Sequence, residues 1–288
     1  MDSPKPMTKR IEHKFNLENI ENSQELEKWV SSLRLLPESV TPEIKIEKKD
    51  NEHVVTRSFI KGEILKSSSL EFHKAIELIY SMLNSLGEFH KSGIPHMNIK
   101  PENILLCDGN TVFLDPMPEF YYEILGIDDK DLKQKLKYGP PEAAIGFNPG
   151  LKGDIYRLGV IFYIVLTGKN PFLHYDPVME GRHHLSKELI PPHVINEEIP
   201  LYLSRIILTM TAKDPAERFI DSLDVIGAMI KKDVLPLPSS SQFLEIPDDK
   251  EIKKIVNLRR VLIVLIILTI FSLLLIFSEQ IKWNIYIF

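Results

Sequence analysis

The chain has 288 residues, 44 % of them apolar, enough for one large domain or two modest ones with a real core, which sets it apart from disordered and fibrous sequences. Its formal net charge of −5 is mild, and lysines are interspersed with acids, so nucleic acid is not expected as a partner. The single cysteine, Cys107, excludes an internal disulfide framework, fits a reducing compartment, and reads as a packing residue at the end of an apolar run.

Met1 to Arg10 carries lysines and prolines without an apolar stretch, so no cleavable signal peptide is expected. Apolar residues at Leu26, Trp29, Val30, Leu33 and Leu36 predict a helix over Ser23 to Leu36, closed by Pro37. Glu43 to Ile46 and Val54 to Ile60 predict two short strands joined by the charged turn Lys48 to Glu52, with Lys61 and Gly62 ending the second. Phe72, Ile76, Ile79, Leu83, Leu86 and Phe89 form one stripe of a long amphipathic helix over Glu71 to Lys91, which Gly93 terminates.

Ile104 to Cys107 and Thr111 to Leu114 flank Asp108-Gly109-Asn110 as a small hairpin, stopped by Asp115-Pro116. Asp154 to Thr167 is apolar nearly all round and too short to span a bilayer, which predicts a helix buried in the middle of the protein. Two further helices are expected over Leu201 to Ala212 and Asp221 to Lys231, followed by a linker rich in proline and serine from Leu235 to Asp249. Arg182-His183-His184 with His193 lacks the cysteine or carboxylate spacing of a metal site and reads as a solvated loop. The acids and lysines of Asp128 to Lys137 suit a solvated face or a docking surface.

From Val261 to Phe277 only Thr269 and Ser272 are polar, so residues 261–278 are expected to form a membrane-spanning helix of about 25 Å. Lys253, Lys254, Arg259 and Arg260 precede it and a single Lys282 follows, so the positive-inside rule predicts a single-pass protein with its large N-terminal domain in the cytoplasm.

The chemistry concentrates in His96-Met97-Asn98-Ile99-Lys100-Pro101-Glu102-Asn103 and the Asp115 that follows the small hairpin. Phosphoryl transfer asks of a protein metal ligands, a cation on the transferring group, and a carboxylate that orients the attacking hydroxyl. The loop resembles the H-R-D-x-K-P-x-N catalytic loop of protein kinases of the serine/threonine type, and Asp115 falls where that family has Asp-Phe-Gly. Pro140-Pro141-Glu142 is similar to Ala-Pro-Glu, Asp154 with Gly159 to the start of the central helix, and Asp214-Pro215-Ala216-Glu217-Arg218 to D-P-x-x-R. Five motifs in the right order, across Val54 to Lys232, give the resemblance its specificity.

The resemblance implies an α+β, kinase-like fold. A truncated small-lobe remnant (1–66) would precede a mostly helical large lobe (67–234), a linker and basic juxtamembrane segment (235–260), the membrane helix (261–278) and a short tail (279–288). Asn103 and Asp115 would match the magnesium positions and Lys100 the lysine on the transferring phosphate. Glu142 would pair with Arg218, and Asp154 would brace the loop backbone near His96. Glu27, and Lys14 in Ile11-Glu12-His13-Lys14-Phe15, would be the ion pair of the small lobe.

Departures from the family pattern matter more. Asn98 stands where the catalytic aspartate belongs, and an amide orients but takes no proton at ordinary pH. Met97 replaces the arginine that would read a phosphorylated loop, Pro116 and Met117 replace Phe-Gly, and no glycine-rich phosphate loop precedes the strands. The expectation is a membrane-anchored pseudokinase acting as a scaffold or regulatory module beside another protein, such as an active kinase or signalling partner. A divergent, slow ATP-dependent serine/threonine kinase is the alternative, and Mg-ATP the possible cofactor.

Overall fold

The computed structural model describes residues 11–15, 20–49, 52–66, 68–117, 137–144 and 147–239. The apolar run at 261–277, the tail beyond it and the charged segment up to 136 lie outside the described residues. No helix among the described residues is long and apolar enough to cross a membrane.

The small lobe is a three-stranded antiparallel sheet with one helix. Strands β2 (Ile44–Lys49) and β3 (Glu52–Arg57) form the expected hairpin, and β1 (Ile11–Phe15) adds to the far edge of β3, giving the order β1-β3-β2. The sequence pattern predicts the hairpin and the helix but not this third strand. Five residues carry too little alternation to announce a strand, and β1 is defined by pairing, from Ile11 opposite Arg57 to Phe15 opposite His53. Helix α1 (Ile20–Leu33) starts and stops three residues before the span read from its pattern, and buries Leu26, Val30 and Leu33. Leu36 is also buried, but in a turn closed by a bond from its N–H to the Leu33 carbonyl, so the apolar stripe outlasts the helix. Strand β3 ends at Arg57 rather than Ile60, because the Ser58 N–H bonds to the Glu43 carbonyl as the chain leaves the sheet.

A second sheet, ordered β4-β5-β6, joins β4 (Glu63–Ile64) to the hairpin of β5 (Ile104–Cys107) and β6 (Asn110–Phe113). It packs on α2 (Phe72–Lys91), whose buried stripe includes Ala75, Ile79, Met82, Leu83, Leu86 and Phe89. Gly93, at φ +69°, closes α2 with a bond from its N–H to the His90 carbonyl, a left-handed geometry that suits glycine.

Among the described residues, five shorter helices and one long one follow in the large lobe. They are α3 (Pro141–Ala144), α4 (Gly150–Thr167), α5 (Pro177–Ser186), α6 (Pro192–Ile195), α7 (Leu201–Met210) and α8 (Ser222–Lys231), the last packed on α2 and α7. Helix α4 begins four residues ahead of Asp154 and is buried from Gly153 to Leu166, as its all-round apolar character requires. It meets the end of α7 so closely that a Cβ on Gly159 would lie 2.8 Å from Met210 Cβ and 2.9 Å from Thr211 Cγ2. One apolar core runs from Leu26 and Val30 of α1 through α2 and α4 to Val225 and Met229 of α8.

The histidines read as a solvated loop are folded otherwise. His183 and His184 lie on α5, and His184 is fully buried. Among the described residues no three His, Cys, Asp or Glu side chains gather as a metal site would need.

Candidate active site

The loop from Ile94 to Lys100 leaves α2 after Gly93 and runs to a 3-10 turn at Pro101–Asn103 that feeds β5. A loop in the interior must satisfy its own amides, and here Asp154 of α4 supplies the acceptors. Its Oδ2 accepts the His96 N–H at 2.5 Å and its Oδ1 the Met97 N–H at 2.9 Å. Met97 is thereby held at φ +65°, an uncommon conformation for a residue with a side chain, which is itself buried.

Around the same carboxylate stand His90 Nε2 and Arg157 Nη1, each 3.6 Å away. His90 Nδ1 accepts the Ser222 N–H, so its proton sits on Nε2 and faces Asp154. Burial works to raise the Asp154 pKa, but the His90 contact and the charge of Arg157 outweigh it and hold the group below the usual carboxylate range. The His96 ring packs edge-on to Phe89 and tilted against Phe113, with centroids 5.3 and 5.4 Å away. Burial pushes its pKa down to about 4, against the opposing pull of Asp154 and Asp115.

Asn98 is turned towards the segment that leaves β6. Its Nδ2 donates to the Asp115 carbonyl at 2.8 Å, while Asn103 Nδ2 donates to the Asn98 carbonyl at 3.0 Å. Backbone bonds from Leu114 N–H to the Asn103 carbonyl and from Met117 N–H to the His96 carbonyl lace the two segments together. Lys100 is half-buried at the head of the 3-10 turn, where its carbonyl accepts the Asn103 N–H. Asn98, Asn103 and Asp115 are thus brought into one constellation.

Asp115 brings a residue that the sequence did not single out. It sits at φ +53°, and its Oδ1 takes a 2.5 Å contact from Arg57 Nε, with the two side chains only 16 % and 10 % exposed. Fifty-eight residues separate the partners, so no local pattern could reveal the pair. A divalent cation asks for bare oxygen donors, and magnesium surrenders its waters reluctantly. The carboxylate at the expected metal position is already neutralised by a guanidinium, and the second position, Asn103, offers one neutral amide oxygen. This donor set does not fit magnesium.

A second constellation meets the same N-terminal turns of α4, at Lys152 and Tyr156. Arg218 grips Glu142 through Nη1 to Oε1 at 2.6 Å and Nη2 to Oε2 at 2.8 Å, while its Nε donates to the Ala212 carbonyl at 2.8 Å. The guanidinium also lies 4.8 Å from the centre of the Tyr156 ring. Beside it, burial and then the charge of Arg218 push Lys213 down to about 7. The Lys213 ammonium reaches the His184 carbonyl at 2.8 Å and stands over the Phe172 ring. His184 Nε2 faces the Lys137 carbonyl, so the proton is there and Nδ1 accepts from the Tyr156 hydroxyl. Burial first, and the Lys213 charge next, push this histidine down to about 3.

Lys14 lies on β1 opposite Val54, and Glu27 lies exposed on α1. His90, Arg157 and Arg57 are the site residues that sequence reasoning missed; each acts only through a partner distant in the chain or hidden on a buried helix face.

A family model described as protein kinase domain matches residues 43–223. A probable serine/threonine-protein kinase of Clostridium perfringens is 29 % identical over 194 residues, covering 64 % of this chain and 28 % of its own length. The serine/threonine-protein kinase PknB of Mycobacterium leprae is 29 % identical over 164 residues, covering 55 % of this chain and 26 % of its own. The chain therefore spans less than a third of the length of these curated relatives. Among solved structures, a twitchin kinase fragment of C. elegans superposes with a TM-score of 0.60 at 18 % identity, covering 84 % of this chain and 57 % of its own, a likeness of fold alone. With its catalytic-type loop hung from Asp154 and more than half of its length matched by that model, this chain belongs to the protein kinase domain family.

Proposed function

We propose that this kinase-family domain is a pseudokinase, a binding or regulatory module whose large lobe serves as a platform for another protein. The observation that carries the reading is the Asn98 amide: it lacks a proton-accepting oxygen anion and is spent on the Asp115 carbonyl at 2.8 Å. Positioned proton transfer contributes roughly 100-fold to 10,000-fold to such reactions, and that contribution is what the amide forfeits. The seventeen-residue apolar run at 261–277, with its basic N-terminal flank, supports a membrane anchor that leaves the kinase-like domain on the cytoplasmic side. An active kinase or another signalling protein is the partner this reading favours.

The test is phosphate transfer by the purified chain, with Mg-ATP, to a generic protein substrate. No transfer above background is expected, and transfer abolished by Asp115→Ala would overturn the reading. A slow serine/threonine kinase is the second reading, supported by the bonds through which Asn98 ties Asn103 to Asp115, with Lys100 retained at the head of the 3-10 turn. Under that reading Asn98→Asp raises the rate, and Mg-ATP stabilises the chain in a thermal melt.

A further inference from the structure

We propose that Arg57 is the resident cation of this site, holding Asp115 in a standing ion pair so that the position takes no divalent metal. The inference deepens the pseudokinase reading and rests on the family match of Asp115 and Asn103 to metal positions. Three observations carry it.

The first is the contact itself, Arg57 Nε to Asp115 Oδ1 at 2.5 Å, with both side chains largely withdrawn from solvent, where screening is weak. The second is that both ends are fixed in advance. Arg57 occupies the last position of the central strand β3, paired with Ile11 on one side and Ile44 on the other. Asp115 is held at φ +53°, with its carbonyl bound by Asn98 and its successor a proline. The third is charge. A guanidinium cannot lose its proton in a protein, so a divalent ion approaching Asp115 meets a fixed positive charge beside a carboxylate whose Oδ1 is already engaged. Asn103 brings no negative charge to offset that cation, because the oxygen of its amide is neutral.

The experiment titrates the full chain, in detergent, with Mn2+ and follows free Mn2+ by electron paramagnetic resonance, beside thermal melts with Mg2+ or EDTA. Neither readout involves nucleotide or activity. The unaltered chain is expected to show no Mn2+ site tighter than about 1 mM and a melting midpoint that Mg2+ moves by less than about 1 °C. Arg57→Met, with Arg57→Gln as the milder change, is expected to tighten Mn2+ binding by about tenfold or more. A submillimolar site in the unaltered chain that Asp115→Asn abolishes overturns the proposal. So does a folded Arg57 variant with no gain in Mn2+ binding. The first arm uses the unaltered protein and stands whether or not a variant folds. Metal binding without phosphate transfer would sink this inference and spare the pseudokinase reading; transfer by a chain that binds no metal would do the reverse.

Discussion

Glu142→Ala removes one half of the ion pair that ties α3 to the turn before α8. Arg218 has a side chain with no exposed surface and Glu142 one that is 11 % exposed, and two parallel bonds of 2.6 and 2.8 Å join them. Removing one partner of such a pair costs about 3–5 kcal/mol, chiefly because the other charge is left buried. Arg218 would keep the carbonyls of Ala212, Lys152 and Lys213, so the low end of that range, about 3 kcal/mol, is expected. For a lobe of roughly 170 residues such a loss lowers the melting midpoint by about 8 °C, and it is a large part of the ~5–15 kcal/mol that domains possess. The assay is urea unfolding of the wild type, Glu142→Ala, Arg218→Met and the double variant. The double variant should lose clearly less than the sum of the singles, since it no longer strands a charge. A single-variant loss below about 1 kcal/mol, or strict additivity, would refute the assignment of this pair as a principal tie of the lobe.

Asn98→Asp is expected to leave phosphate transfer at background and to lower the melting midpoint, because a carboxylate would face the Asp115 carbonyl where the amide now donates. A gain in rate would instead favour the slow-kinase reading. Acid should destabilise the fold through His96 and His184, whose pKa values are held at about 4 and about 3 against 6.5 when unfolded. Depressed values mean that the unfolded chain binds protons first, so this stability is complete above pH 6.5 and is lost as pH falls towards 4, by about 2–3 kcal/mol for each histidine. Urea midpoints at pH 7 and pH 5 check this, and His184→Phe should flatten the slope; equal midpoints would contradict it. Gly159→Ala drives a methyl into Met210 and Thr211 and is expected to cost about 1–3 kcal/mol in the same urea assay.

What could be read from the sequence was whatever repeats or is ordered along it. The stripe of α2, the all-round apolar α4 and the hairpin at Asp108-Gly109 follow from periodicity and turn chemistry, and the structure places them within a few residues of expectation. What was not legible depends on distance through space. The charged surroundings of Arg182 and His183 suggest solvent, yet Glu180 and His184, four residues apart on α5, share a face that turns inward. Arg57 follows Val54-Val55-Thr56 as an ordinary strand ending, and only the fold brings Asp115 to it. Asn98 was visible as a substitution, but that its amide is tied to a carbonyl was not.

One turn of α4 has a consequence beyond the site. The Lys152 carbonyl accepts from Arg218 while Asp154, two residues on, accepts from His96 and Met97, so the catalytic-type loop and the Glu142 clasp hang from a single peg. Asn98 and Arg57, on which the pseudokinase proposal rests, make none of the bonds to that peg. The lobe's mechanical integrity and its reactivity are therefore separable properties. Such a body can be emptied of its reaction and still present the same rigid contour to whatever docks against it.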